Sequence, residues 1–243
     1  MHISIAAEKL TEIAGITITN SLFTAFIVSA FLIIAGYFIG RNVSYVPGKI
    51  QTLFEMMIGG IHSLAKSVSP KHADEFFPLI MTLFIFILFS NWFGLIPGIS
   101  AVGFNMVEHG EEVFVPIFRA ATADLNTTLA LALVAMAAVW YYGIKHVGIK
   151  LHLGKFFTIK SPIDAFVGIL EFVGEFAKVI SFAFRLFGNI FAGEVLLAVI
   201  TSLIPIIIPL PFLGLEIFVG FIQAVVFSVL TMVFIASSVE VHH

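Results

Sequence analysis

FRLFGNIFAGE, residues 184–194, sets Arg185, Asn189 and Glu194 inside one of the most apolar parts of an already apolar chain. A charged side chain at bilayer depth costs about 2.5–3.5 kcal/mol on insertion scales. Whether this stretch lies in a soluble core or in a membrane helix therefore decides the fold. Of the 243 residues, 60% are hydrophobic and 11% charged, and the mean hydropathy is +1.10. A soluble fold would have to hide nearly all of that surface. Several apolar runs reach the roughly 20 residues needed to cross about 30 Å of hydrocarbon. The fold class that follows is an all-α polytopic integral membrane protein, read as a single membrane domain over residues 1–243.

Working outward, the stretch lies in an apolar segment over residues 162–203, followed by another over 212–240. As a continuous helix the first would be about 60 Å long, twice the hydrocarbon thickness, which requires strong tilt, curvature or partial emergence. SLIPIIIPLPF between them has prolines at 205, 209 and 211, so a turn is expected there and the two segments form an antiparallel hairpin. Upstream, spans are expected over residues 22–40, 76–96 and 126–144, the last two as a hairpin. Residues 46–68 mix Gln51, Glu55, His62 and Lys66 with apolar neighbours, the pattern of a helix lying in the interface. Residues 1–21 lack the basic region of a secretory signal and read as a short outer tail.

Basic residues near the span ends set the topology. Arg41, Lys49, Lys66 and Lys71 fall in residues 41–75, and Lys145, Lys150, Lys155 and Lys160 in residues 145–160. The connection over residues 97–125 has Arg119 but also Glu108, Glu111, Glu112 and Asp124. Five crossings with the lysine-rich connections inside put the N-terminus outside and the C-terminus in the cytoplasm.

Within the long segment, Lys178, Ser181, Arg185, Gly188 and Asn189 fall on one stripe at about 100° per residue. Glu171 and Glu175 continue it and are placed to pair with Lys178. Glu194, about 13 Å further along, points nearly the other way and need not bridge to Arg185. In the hairpin, Gln223 comes level with Arg185, and Glu216 with Glu194. Arginine is effectively never deprotonated, so it does not relay a proton itself. It sets the state of a carboxylate brought beside it: a moving partner carrying one would release its cation there, and the fixed charge would block a leak. Glu194 and Glu216 could exchange protons through water, as a coupled pair. Gln223 cannot titrate and is read as orienting Arg185.

These residues resemble the a subunit family of rotary F-type ATP synthases. The resemblance rests on RLFGNIFAGE (185–194), ADLNTTLALAL (123–133), VPGKIQTLFE (46–55) and FIQAVVFSVLTMVFI (221–235), in the family's order. It implies that Arg185 is the stator arginine facing carboxylates on a rotating ring of c subunits, and that two offset half-channels feed the ring. It maps Glu194, Asn189, Glu216 and Gln223 to the outer half-channel and ring interface. Many relatives have histidine at one of the two acidic positions, where this chain has glutamate at both. Glu171, Glu175, Lys178 and Ser181 map to the helix leading to the inner exit, and Asp124 with Asn126 to a polar pair at the outer end of the membrane hairpin. It further implies that both long helices wrap the ring, a b-subunit peripheral stalk, the remaining F0F1 subunits and membrane lipids as partners, and a bacterial plasma membrane location.

Blander roles stand beside these. Asn189 serves equally as interhelical glue, Lys178 as a counter-charge for Glu171 or Glu175, and Glu194 and Glu216 as neutralisers of a partner's charge. The absence of cysteine removes disulfides and thiolate chemistry. RLFGNIFAG lacks the context of a phosphate loop, and His109 among Glu108, Glu111 and Glu112 reads as part of a solvated loop. No cofactor, metal, nucleic acid or bond-making catalytic residue is expected. The competing class is an ion-coupled secondary transporter with an intramembrane charged substrate site, whose mark would be a repeat between halves. None is evident.

Overall fold

The structure, a computed structural model, describes residues 6–13, 15–41, 43–108, 111–154, 162–204 and 207–239. His109, Lys155, Lys160, Pro205, His242 and His243 lie outside them. Five helices are long and apolar enough to cross a membrane: α1 (Asn20–Arg41), α3 (Ala73–Phe93), α4 (Leu125–Val147), α6 (Pro162–Leu203) and α7 (Pro209–Val239). A sixth long helix, α2 (Lys49–Val68), precedes α3, and a short α5 (Ile149–Gly154) follows α4.

The ends of these helices differ from expectation for identifiable reasons. α3 begins at Ala73 and takes Asp74 and Glu75 into its first turn, where carboxylates meet the partial positive charge of the unpaired N–H groups. It stops at Phe93, ahead of Gly98 with φ 84. α4 begins at Leu125 because Asp124 caps it, accepting from the Asn126 backbone N–H. Pro209 and Pro211 do not stay in the turn but form the first turn of α7. A missing N–H costs nothing at those positions.

Among the described residues the candidate crossing segments are all helices, but the chain is not helical throughout. Two antiparallel hairpins were not legible in the sequence: β1 (Lys9–Ile13) with β2 (Ile16–Thr19), and β3 (Gly103–Glu108) with β4 (Glu111–Pro116). In the second, Phe104 sits opposite Val115 and Met106 opposite Val113.

The core lies where α3, α4, α6 and α7 meet. Phe76, Ile80, Phe84 and Ile87 from α3 join Ala132, Ala135 and Val139 from α4, with Leu186 and Ile190 from α6 and Phe227, Met232 and Ile235 from α7. The alanines of α4 let neighbouring helices approach closely, as small residues do where lipid supplies no hydrophobic drive. α2 reaches this core through Met57, Ile61, Ala65 and Val68, at helical spacing. Elsewhere large apolar side chains are bare: Phe26, Ile33 and Ile34 on α1, and Ile163, Phe166 and Leu170 on α6. Such surfaces suit contact with lipid or with other subunits.

α6 and α7 meet through Phe182 and Phe227, whose ring centroids are 4.8 Å apart, and through Gly193, which lies against the Glu216 carboxylate. Eleven residues forward along α6 thus match eleven residues back along α7.

Candidate functional site

The middle of α6 has two faces because its sequence does. Phe182, Ala183, Leu186, Phe187 and Ile190 are buried against the bundle, while Ser181, Arg185, Gly188 and Asn189 are exposed. One set of side chains is apolar and the other polar or small, at the same helical period. Arg185 Nη2 donates to Ser181 Oγ at 3.3 Å, and Asn189 Nδ2 donates to the Arg185 carbonyl at 2.8 Å. Among the described residues Arg185 has no carboxylate partner. Nor does Gln223, half-buried on α7, bond to the guanidinium. The serine one turn below does. Gly188 opens the same face further, since a Cβ there would meet nothing within 4 Å.

Below Arg185 a cavity of about 270 Å³ is lined by Lys178, Ser181 and Arg185 from α6 and by Leu230 and Phe234 from α7. Lys178 Nζ bonds Glu175 Oε1 at 2.9 Å and lies 4.9 Å from the Phe234 ring centroid. Glu175, 9% exposed, also accepts from Trp140 Nε1 at 3.3 Å. Of the two acids placed to neutralise Lys178, the structure selects Glu175 and leaves Glu171 exposed.

The two carboxylates nearer the α6–α7 turn stand in different surroundings. Glu194 Oε2 accepts from Arg119 Nε at 3.3 Å. Arg119 is 8% exposed and is held on three further sides. Its Nη1 donates to the Ala6 carbonyl at 3.1 Å, its backbone N–H donates to Thr24 Oγ1 at 3.3 Å, and its guanidinium lies 5.7 Å from the Phe191 ring centroid. Glu216 is 6% exposed and packs on Gly193, where any Cβ would overlap its carboxylate. Among the described residues no side chain donates to Glu216. Its carboxylate therefore lies beside residue 193 while the next residue, Glu194, is tied to the loop before α4.

Asp124 and Asn126 form a cap. Asn126 donates to Asp124 Oδ1 through its backbone N–H at 3.1 Å and its side chain at 3.3 Å. Ser21 Oγ donates to Asp124 Oδ2 at 2.8 Å, tying the start of α1 to the start of α4.

Sequence reasoning missed three contributors. Arg119 sits in an acidic connection, where it is the only lysine or arginine. Asn91 Nδ2 donates to the Gly220 carbonyl at 2.8 Å and Asn91 Oδ1 accepts from Thr122 Oγ1 at 2.5 Å, all of it buried. Together with Trp92 Nε1 donating to the Ile217 carbonyl at 3.0 Å, this pair pins α7 at the level of Glu216. A polar Asn-Trp step ending an apolar run was the available signal.

The chain matches the family model described as ATP synthase A chain over residues 21–236. It is 36% identical over 220 residues to ATP synthase subunit a of Geotalea daltonii, covering 89% of this chain and 86% of that relative. The match takes in nearly the whole of every long helix as well as Arg119, Arg185, Glu194, Glu216 and Gln223. On this coverage the chain belongs to the ATP synthase A chain family.

Proposed function

We propose that this protein is the stator subunit of the membrane motor of a rotary ATP synthase, with Arg185 as the charge that couples ion passage to rotation. The carrying observation is an arginine in a membrane helix that is exposed and, among the described residues, answered only by Ser181. Lipid is a poor neighbour for a permanent charge, so a partner subunit must cover it. The partner that explains the position presents a carboxylate. When that group arrives loaded with its cation, the guanidinium favours the bare carboxylate and the cation leaves. The fixed charge of an arginine side chain also stops a free cation from running straight past.

Ions then need one path to the partner and another away from it. The outer half-channel is assigned to the Glu194, Glu216 and Gln223 side, with Asn189 at the partner's surface. The inner one is assigned to the cavity beside Lys178 and Ser181, with Glu171 at its mouth and Glu175 fixing Lys178. Asp124 and Asn126 stiffen the outer end of the bundle. In this reading α6 and α7 form a tilted hairpin around a ring of c subunits and α2 rests in the interface. The N-terminus faces outward and the C-terminus the cytoplasm of a bacterial cell. A b-subunit peripheral stalk holds the subunit against torque, and ATP chemistry takes place on other subunits.

The test is Arg185→Ala in the assembled complex reconstituted into vesicles, scored for ATP synthesis, ATP-driven pumping and passive leak. Loss of both coupled activities with the complex still assembled is expected. Preserved coupled pumping would overturn the assignment.

A further inference from the structure

At the end of the bundle away from Glu194, three potential metal ligands converge that the reading above does not use. His72 precedes α3 as its cap residue, Glu75 lies in the first turn of α3, and His146 in the last turn of α4. Their ligand atoms all lie within 4.8 Å of one another. His146 Nε2 is 2.8 Å from Glu75 Oε2, and the His72 and His146 ring centroids are 4.5 Å apart. We infer that His72, Glu75 and His146 form a binding site for a divalent transition-metal ion of the zinc type, which bridges the start of α3 to the end of α4.

The donor set selects the ion. Two imidazoles and one carboxylate suit Zn²⁺, Ni²⁺ or Cu²⁺, whereas Mg²⁺ and Ca²⁺ require oxygen ligands. Bonds of about 2.0–2.1 Å to a tetrahedral zinc put ligand atoms about 3.4 Å apart. Binding the ion would draw the three side chains together to close the remaining gap. The three-residue step from His72 to Glu75 puts both groups on one side of the helix start, and water is left to complete the coordination.

The surroundings hold the carboxylate in place. Lys145 Nζ bonds Glu75 Oε1 at 2.6 Å, leaving Oε2 to His146, and Tyr142 Oη donates to the Glu75 main-chain carbonyl at 3.3 Å, which ties α4 to the backbone of α3. The ammonium orients Glu75 but repels an arriving cation, so the site binds less tightly than one without it. His62 and Asp74, 2.7 Å apart, form a separate pair outside this trio.

The full-length chain in lipid nanodiscs is titrated with ZnCl₂ against a fluorescent chelator, with MgCl₂ as the control cation. The wild type is expected to bind one equivalent more than the His72→Ala/His146→Ala variant, and MgCl₂ should not compete. Glu75→Gln, which keeps size and both histidines, is expected to weaken that equivalent by more than about 10-fold, the range that loss of even an outer partner produces. Lys145→Ala should strengthen it. X-ray absorption of the zinc-loaded wild type should show nitrogen and oxygen neighbours at about 2.0–2.1 Å with scattering from two imidazole rings. Equal stoichiometry and affinity in the wild type and the double variant would overturn the site, as would a spectrum lacking the two rings. If the double variant does not fold, the Glu75→Gln titration and the absorption spectrum decide by the same criteria.

Discussion

Glu194 is bound by Arg119, Nε to Oε2 at 3.3 Å, and not by Arg185 nine residues back on the same helix. The two arginines thereby take different places: one is buried and anchors a carboxylate, the other is exposed and pairs with no acid among the described residues. Arg119 also bonds the Ala6 carbonyl and, through its backbone, Thr24. The N-terminal segment, α1 and α6 therefore share one guanidinium-bearing residue.

Arg119→Gln should slow ATP-driven pumping in vesicles and lower the thermal midpoint of the purified subunit. Arg119→Lys should recover part of the stability but less of the rate, because an ammonium cannot reproduce the planar fork. Pumping at the wild-type rate in both variants would show that the pair plays no part in ion access.

Gly193→Ala and Gly188→Ala offer a paired test of the α6–α7 contact. A methyl at 193 would overlap the Glu216 carboxylate, while one at 188 meets open space. Both substitutions gain the roughly 1 kcal/mol by which alanine exceeds glycine within a helix, but at 193 the Glu216 carboxylate, the far end of a flexible side chain, has to move aside. The Gly193→Ala variant should therefore unfold at a lower temperature in detergent than Gly188→Ala. Equal midpoints would contradict the packing described.

Asn91→Leu removes the donor to the Gly220 carbonyl and leaves the buried Thr122 hydroxyl without its acceptor. A buried polar group deprived of its partner costs about 1–3 kcal/mol. The midpoint should fall, and the fluorescence of neighbouring Trp92, which bonds the Ile217 carbonyl, should change with it. Thr122→Val in the same background should add little further loss, since both act through one network.

Replacing Glu194 and Glu216 together by Gln should slow pumping across pH and driving force while leaving the complex assembled. Glutamine preserves shape and hydrogen bonding but neither titrates nor carries charge. A pumping rate unchanged over that range would remove both residues from the ion path.

Much of this organisation is legible in the sequence because membrane helices leave few alternatives. Long apolar runs mark the crossing helices, and the period of Ser181, Arg185 and Asn189 places them on one face. What local pattern does not carry is who meets whom across the bundle. Arg119 looks unremarkable beside Glu108 and Glu111 until the fold brings it to Glu194. Gln223, level with Arg185 by counting, makes no bond to the guanidinium, which bonds Ser181 on its own helix. The hairpins β1–β2 and β3–β4 hold strand-forming residues such as Ile16-Thr17-Ile18-Thr19 and Val113-Phe114-Val115, but they are too short and too polar to stand out among the long apolar runs. Asp124 and Asn126 are visible as a polar pair, but only the cap geometry and the Ser21 bond explain their arrangement.

The most direct measurement is the separation between the Arg185 guanidinium and the nearest carboxylate of the adjoining subunits in a structure of the assembled complex. The account predicts a carboxylate within about 4–6 Å, on the face that carries Ser181, Gly188 and Asn189. An Arg185 turned to lipid, with every carboxylate of its neighbours beyond that reach, would contradict it.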